Sequence, residues 1–123
     1  MIEPQWVIAI TLAGGLGAVL RLWLGSFRGR LPWGTLIANL AAGLVLGIAM
    51  GLQNRELLPN LAVAVLFVGF AGGLSTFSGV AAETGELIRD KRWGLALANL
   101  GANLLLPVLT VWLPVLAFAL LVN

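Results

Sequence analysis

The residues best suited to chemistry lie at 72–83, where Gly-Gly-Leu-Ser-Thr-Phe-Ser-Gly-Val-Ala-Ala-Glu interrupts a hydrophobic stretch that otherwise reads as a membrane helix. Ser75, Thr76 and Ser78 carry hydroxyl donors, the glycine pair permits exposed backbone carbonyls, and Phe77 adds a ring whose edge is electropositive. Donors without fixed positive charge suit a small anion that must bind and leave again, whereas freed carbonyls suit a cation. An unpaired backbone group in hydrocarbon is too costly to face lipid, so the interruption must face protein or a watery cavity.

Other polar residues at membrane depth are few, and each is costly enough to require a partner or a cavity. Thr35 and Asn39 are four apart on the second apolar run and share a helix face. They read either as an interhelical clamp or as ligand contacts. Asn99 and Asn103 repeat that spacing on the fourth run, with Thr110 seven residues beyond Asn103, and carry the same two readings. Arg21, near the end of the first run, either snorkels to the headgroups or forms a structural ion pair. Glu83, seven residues after Thr76, either pairs with a basic residue or lines an entrance. A hydrolytic or redox site needs a nucleophile with its base, or a metal cluster. The sequence has no cysteine and no histidine, which removes disulfides, thiol chemistry, Cys/His zinc sites and histidine proton relays. The reading is therefore transport or binding, and not an enzyme.

The elements that must position these groups are all helical. Hydrophobic residues make up 60% of the 123, charged residues 10%, and mean hydropathy is +1.03, which places the chain in a lipid bilayer. A helix rising ~1.5 Å per residue needs about 20 residues to cross ~30 Å of hydrocarbon, leaving room for about four spans in one domain, residues 1–123. The first is expected from Trp6 to Leu24. Its start, Met-Ile-Glu-Pro-Gln, lacks the basic opening and cleavage site of a signal peptide. The second runs from Gly34 to Leu52 after Pro32 and Trp33. The third begins after Pro59, passes Phe70, breaks at the glycines and continues toward Ile88. The fourth runs from Trp93 to Leu121, with kinks expected at Pro107 and Pro114.

Seven basic residues give a net charge of +2 but no clustered face, so nothing points to nucleic acid. Five of them, Arg28, Arg30, Arg89, Lys91 and Arg92, fall in the first and third loops against Arg55 in the second, and a positive-inside bias puts both termini outside. Glycines at 14, 15 and 17, at 43, 47 and 51, and at 69, 72, 73 and 79 form small-residue faces for close helix approach, and four short helices call for oligomerisation.

Gly34-Thr35-Leu36 with Asn39, Gly43 and Gly47, together with Gly72-Gly73-Leu74-Ser75-Thr76-Phe77-Ser78 and Glu83, resemble the CrcB (Fluc) fluoride channels of bacteria. The likeness also takes in Gly14-Gly15-Leu16-Gly17-Ala18 with Arg21, and Trp93 and Trp112, so it covers nearly the whole chain. It implies an all-α membrane protein of the bacterial plasma (inner) membrane with four transmembrane helices, the third broken, in an antiparallel dual-topology dimer. It also implies passive efflux of fluoride through two pores and a structural sodium ion at the break. On this resemblance Thr35 and Asn39 are pore residues, Phe77 is the first of two aromatics facing fluoride, and Ser78 lies in the same hydroxyl track. Gly72 and Ser75 match positions whose carbonyls hold sodium. Arg21 and Glu83 match charged positions without an assigned role.

The chain also departs from the pattern. The second phenylalanine is Val80 here, Ala42-Gly43 stands for Gly-Ser, and the tyrosine and serine of the fourth helix correspond to Asn99 and Asn103. These changes, with the loop bias, resemble a diverged subunit of a heterodimer with a homologous chain more than a symmetric homodimer. Two rivals stand beside the channel reading: a non-conducting partner subunit, and a small multidrug exporter. The exporter would need a membrane-embedded glutamate in the first helix, and residues 6–24 contain no acid.

Overall fold

The computed structural model describes residues 3–27 and 29–121; Arg28, counted above among the first-loop basics, lies outside the described residues. Four stretches are long and apolar enough to cross a membrane, and the described residues contain no strand. The first two are α1 (Pro4–Leu24) and α2 (Trp33–Gln53). The third, Asn60–Arg89, is composite: α3 (Asn60–Ala64), a π-helical segment (Val65–Ala71), α4 (Gly72–Leu74) and α5 (Phe77–Arg89). The fourth is α6 (Trp93–Leu120).

Proline sets three of the starts. Pro4 sits in the first turn of α1, where its missing N–H would have had no helical partner, so the helix begins two residues before Trp6. Pro32 and Pro59 immediately precede α2 and α3. The turns after α2 and α5 place Glu56 (φ 58°) and Lys91 (φ 57°) in the left-handed region. There Leu57 N–H reaches Leu52 O at 3.0 Å and Arg92 N–H reaches Leu87 O at 2.8 Å, the six-residue closure that allows a loop of few residues. The helical assignment of α6 runs uninterrupted through Pro107 and Pro114. Thr110 Oγ1 donates to Pro107 O at 2.8 Å within it.

Helix α2 is central. It buries ten residues, whereas α1 buries Gly17 and α6 buries Ala96, Asn99 and Asn103. The innermost cluster is small, Ala38, Ala42 and Ala71 around Leu74, with Leu20, Leu24 and Phe70 packed on it. Large apolar side chains such as Leu12, Leu22 and Leu105 point outward instead. A bundle in lipid has no hydrophobic reason to hide them, and small residues let its backbones approach. A Cβ at Gly47 would collide with the Val111 carbonyl of α6, one at Gly17 with the Phe70 carbonyl, and one at Gly73 with the Gly14 carbonyl. Backbone atoms cannot rotate away, so α2 is locked to α6 and α1 to the third span. Within the protomer a Cβ at Gly15 would meet nothing within 4 Å, and one at Gly72 would meet Phe67 O at 3.5 Å, ordinary contact.

The first and third loops meet at one end, where Arg92 Nη2 donates to Arg30 O at 3.1 Å. Arg55 of the second loop reaches Phe118 O near the end of α6.

Candidate functional site

The third span breaks because two residues leave the helical region. Ser75 (φ −76°, ψ 153°) and Thr76 (φ −153°, ψ 120°) are extended. In a continuous helix Thr76 N–H would bond to Gly72 O; here it donates to Asn39 Oδ1 at 2.8 Å. Asn39 Nδ2 donates back to Thr76 O at 3.4 Å, so one side chain of α2 serves both main-chain groups of a residue that has lost its helix. Thr76 then starts α5, its Oγ1 accepting from Gly79 N–H at 3.0 Å, a side-chain N-cap. The same oxygen lies 3.1 Å from Ser78 Oγ.

Behind Asn39 runs a ladder of amides. Asn39 Nδ2 donates to Asn103 Oδ1 at 2.8 Å, Asn103 Nδ2 donates to Asn99 Oδ1 at 3.1 Å and to Asn99 O at 3.0 Å, and Asn99 Nδ2 donates to Thr84 Oγ1 at 3.1 Å. The Thr76 N–H can only donate, so it fixes the Asn39 oxygen toward the break, and each amide further along is oriented by the one before it. All four ladder side chains are buried. The clamp reading of Asn39, Asn99 and Asn103 therefore describes their contacts within the protomer. Thr84 was not singled out from the sequence. Its signal was the buried face it shares with Val80 and Leu87 on α5, at helical spacing.

Two cavities flank this ladder. The larger, about 440 Å³, is bordered by Asn39, Ser75, Thr76, Phe77, Val80 and Asn103, and no charged side chain lines it. Phe77 is 67% exposed, whereas Val80 is 1% exposed and forms the floor. Phe67 also borders this cavity, a residue the sequence reading passed over. The smaller, about 130 Å³, opens among the loops and is lined by Arg30, Thr35, Glu83, Glu86, Asp90 and Arg92. Thr35 Oγ1 donates to the Glu83 carboxylate. Thus Thr35 and Asn39, one turn apart, border different cavities, one lined by charged side chains and one without them.

Arg21 Nη1 donates to Ser75 O at 3.4 Å, so the guanidinium lies beside the break. That oxygen keeps a second lone pair, and Gly72 O has lost the Thr76 N–H. Freed carbonyls at a helix end fit a hard cation. The described residues hold no cluster of acidic, histidine or cysteine side chains for a metal, so backbone oxygen is the ligand type this segment offers.

The family model described as CrcB-like protein, Camphor Resistance (CrcB), matches residues 8–115. A fluoride-specific ion channel FluC of Variovorax paradoxus is 39% identical over 114 residues, 87% of this chain and 89% of that protein. The FluC of Marinobacter nauticus is 33% identical over 120 residues, covering 93% and 94% of the two chains. That of Escherichia coli is 39% identical over 107 residues, covering 82% and 84%. A likeness of this extent takes in all four spans, the break and both cavities, and the chain belongs to the CrcB family.

Proposed function

We propose that this chain is a subunit of a fluoride-specific channel that lets fluoride leave the cell down its gradient and so confers fluoride resistance. The observation that carries the reading is the uncharged larger cavity, bordered by Ser75, Thr76 and Phe77 at the start of α5. The partial positive end of that helix, hydroxyl donors and an aromatic edge attract an anion without holding it as a fixed cation would. Thr76 Oγ1 accepts from Gly79 N–H and shares one hydrogen bond with Ser78 Oγ, which leaves one hydroxyl proton of the pair to donate. Ser75 borders the same cavity, whereas Ser78 does not line it and reaches Thr76 Oγ1 at 3.1 Å. Asn39 acts through Thr76, because its N–H groups face Thr76 O and Asn103 Oδ1. Thr35 and Glu83 line the smaller, charged cavity, and in this proposal that cavity is where the ion exchanges water for protein contacts.

The test is efflux from liposomes in the presence of fluoride or chloride, with the chain alone and mixed with any homologous chain from the same organism. Fluoride should leave well above the rate of empty liposomes, and chloride should not. No fluoride flux from either preparation would end the channel reading. A non-conducting partner subunit is the second reading, favoured by an aliphatic, fully covered side chain at position 80.

The working unit in this proposal is an antiparallel dimer, with itself or a homologous subunit, in the bacterial plasma membrane. A sodium ion held by the carbonyls of Gly72 and Ser75 would support its assembly. Exchange of sodium for a bulky organic cation should then lower the thermal stability of the dimer. Equal stability in both salts would remove sodium from the proposal.

A further inference from the structure

The cavity beside the break holds a ring that the sequence pattern does not mark. Phe67 lies in the π-helical segment Val65–Ala71, is 46% exposed, and borders the same cavity as Asn39, Thr76 and Phe77. A π-helix closes its turns between residues five apart and occurs most often at functional sites. That spacing stacks Phe67 directly beneath Gly72, the first residue of α4, and Phe67 O is the nearest atom to where a Gly72 side chain would begin. Phe67 is thus held one turn before the break, with its side chain half exposed. Val80, at the floor, is aliphatic and 1% exposed, so it fills space but presents no electropositive edge.

We propose that Phe67 and Phe77 together form the aromatic wall of the anion path, Phe67 supplying the ring edge that position 80 withholds. This rests on the channel reading. A partly dehydrated fluoride crossing an uncharged cavity needs compensation for lost water, and ring edges give it without trapping the ion. A phenylalanine serving only to face lipid has no reason to border the polar groups of Asn39 and Thr76. Phe67 precedes the break in sequence, Phe77 follows it, and both border the cavity that Ser75 and Thr76 line, so a passing ion would meet donors and rings in one cavity.

The test compares fluoride efflux for wild type, Phe67→Leu and Phe67→Tyr in the two liposome preparations above. Leucine keeps bulk without a ring, and tyrosine keeps the ring. Phe67→Leu should cut flux about tenfold or more while Phe67→Tyr stays within about threefold of wild type. Thermal stability and elution volume of both variants should match wild type, as expected for a half-exposed side chain. Phe67→Leu conducting like wild type would overturn the proposal while leaving the channel reading intact. A parallel loss of flux and stability in both variants would also overturn it, because the ring would then be packing. A wild type that conducts in neither preparation would overturn the channel reading and the aromatic wall with it.

Discussion

Asn39→Asp is expected to abolish fluoride flux and to destabilise the folded protein by about 3 kcal/mol, the scale of a buried charge without its partners. The substitution is nearly isosteric, so packing does not explain the effect. One carboxylate oxygen can still accept from Thr76 N–H. The other replaces an amide nitrogen that donates to Thr76 O and to Asn103 Oδ1, and two donor contacts become acceptor against acceptor. The loss then spreads. Asn103 no longer has its donor, and its orientation toward Asn99, and that of Asn99 toward Thr84, rests on it. A carboxylate beside the larger cavity would also repel an anion. Thermal unfolding in detergent and flux in liposomes should fall together. A variant with wild-type stability and flux would mean that Asn39 does not hold the break open.

The sequence carried the coarse architecture because each part of it leaves a local mark. Hydropathy shows four spans, proline marks the starts of α1, α2 and α3, and the glycine pair with three hydroxyls marks the break. The identity of the group that satisfies the break leaves no local mark: Thr76 and Asn39 are 37 residues apart. Their contact depends on how closely α2 approaches the third span. For the same reason the choice between clamp and ligand contact at Asn99 and Asn103 needed their neighbours. Both are turned inward, where a chain of amides is satisfied only if every member is oriented.

Faces on either side of the break were harder still. The π-helical segment and the two extended residues each shift the angular register that a constant helical period assumes. A count of residues from Gly72 therefore does not tell that Phe67, Phe77 and Val80 all border one cavity. Val80 turns in with Thr84 and Leu87, while Phe77 turns out. Phe67 had the further handicap of lying in a plain apolar run, where one more aromatic reads as lipid-facing. Arg21 was legible as costly, but its contact with Ser75 O, 54 residues away, could be read only once α1 was placed against the third span.

Phe77→Ile separates the pathway from the fold. At 67% exposure on the protomer the ring contributes little to packing, and exposed substitutions of this kind usually shift stability by no more than about 0.5 kcal/mol. Conduction should nevertheless drop to the level of empty liposomes in every pathway this ring borders. Isoleucine keeps apolar bulk and loses the electropositive edge, so a fluoride that has shed part of its water meets no compensation at that point. The contrast with Asn39→Asp is diagnostic, since that change removes flux by dismantling the break whereas this one leaves the break in place. Circular dichroism and thermal unfolding of Phe77→Ile should overlay those of wild type, and its elution volume should report the same assembly. Wild-type fluoride flux through Phe77→Ile would remove this ring from the ion path and leave Phe67 with Ser75 and Thr76 beside the anion. Lost flux together with a lower melting temperature would instead make Phe77 part of a subunit contact, with the exposed face of α5 covered by a second chain.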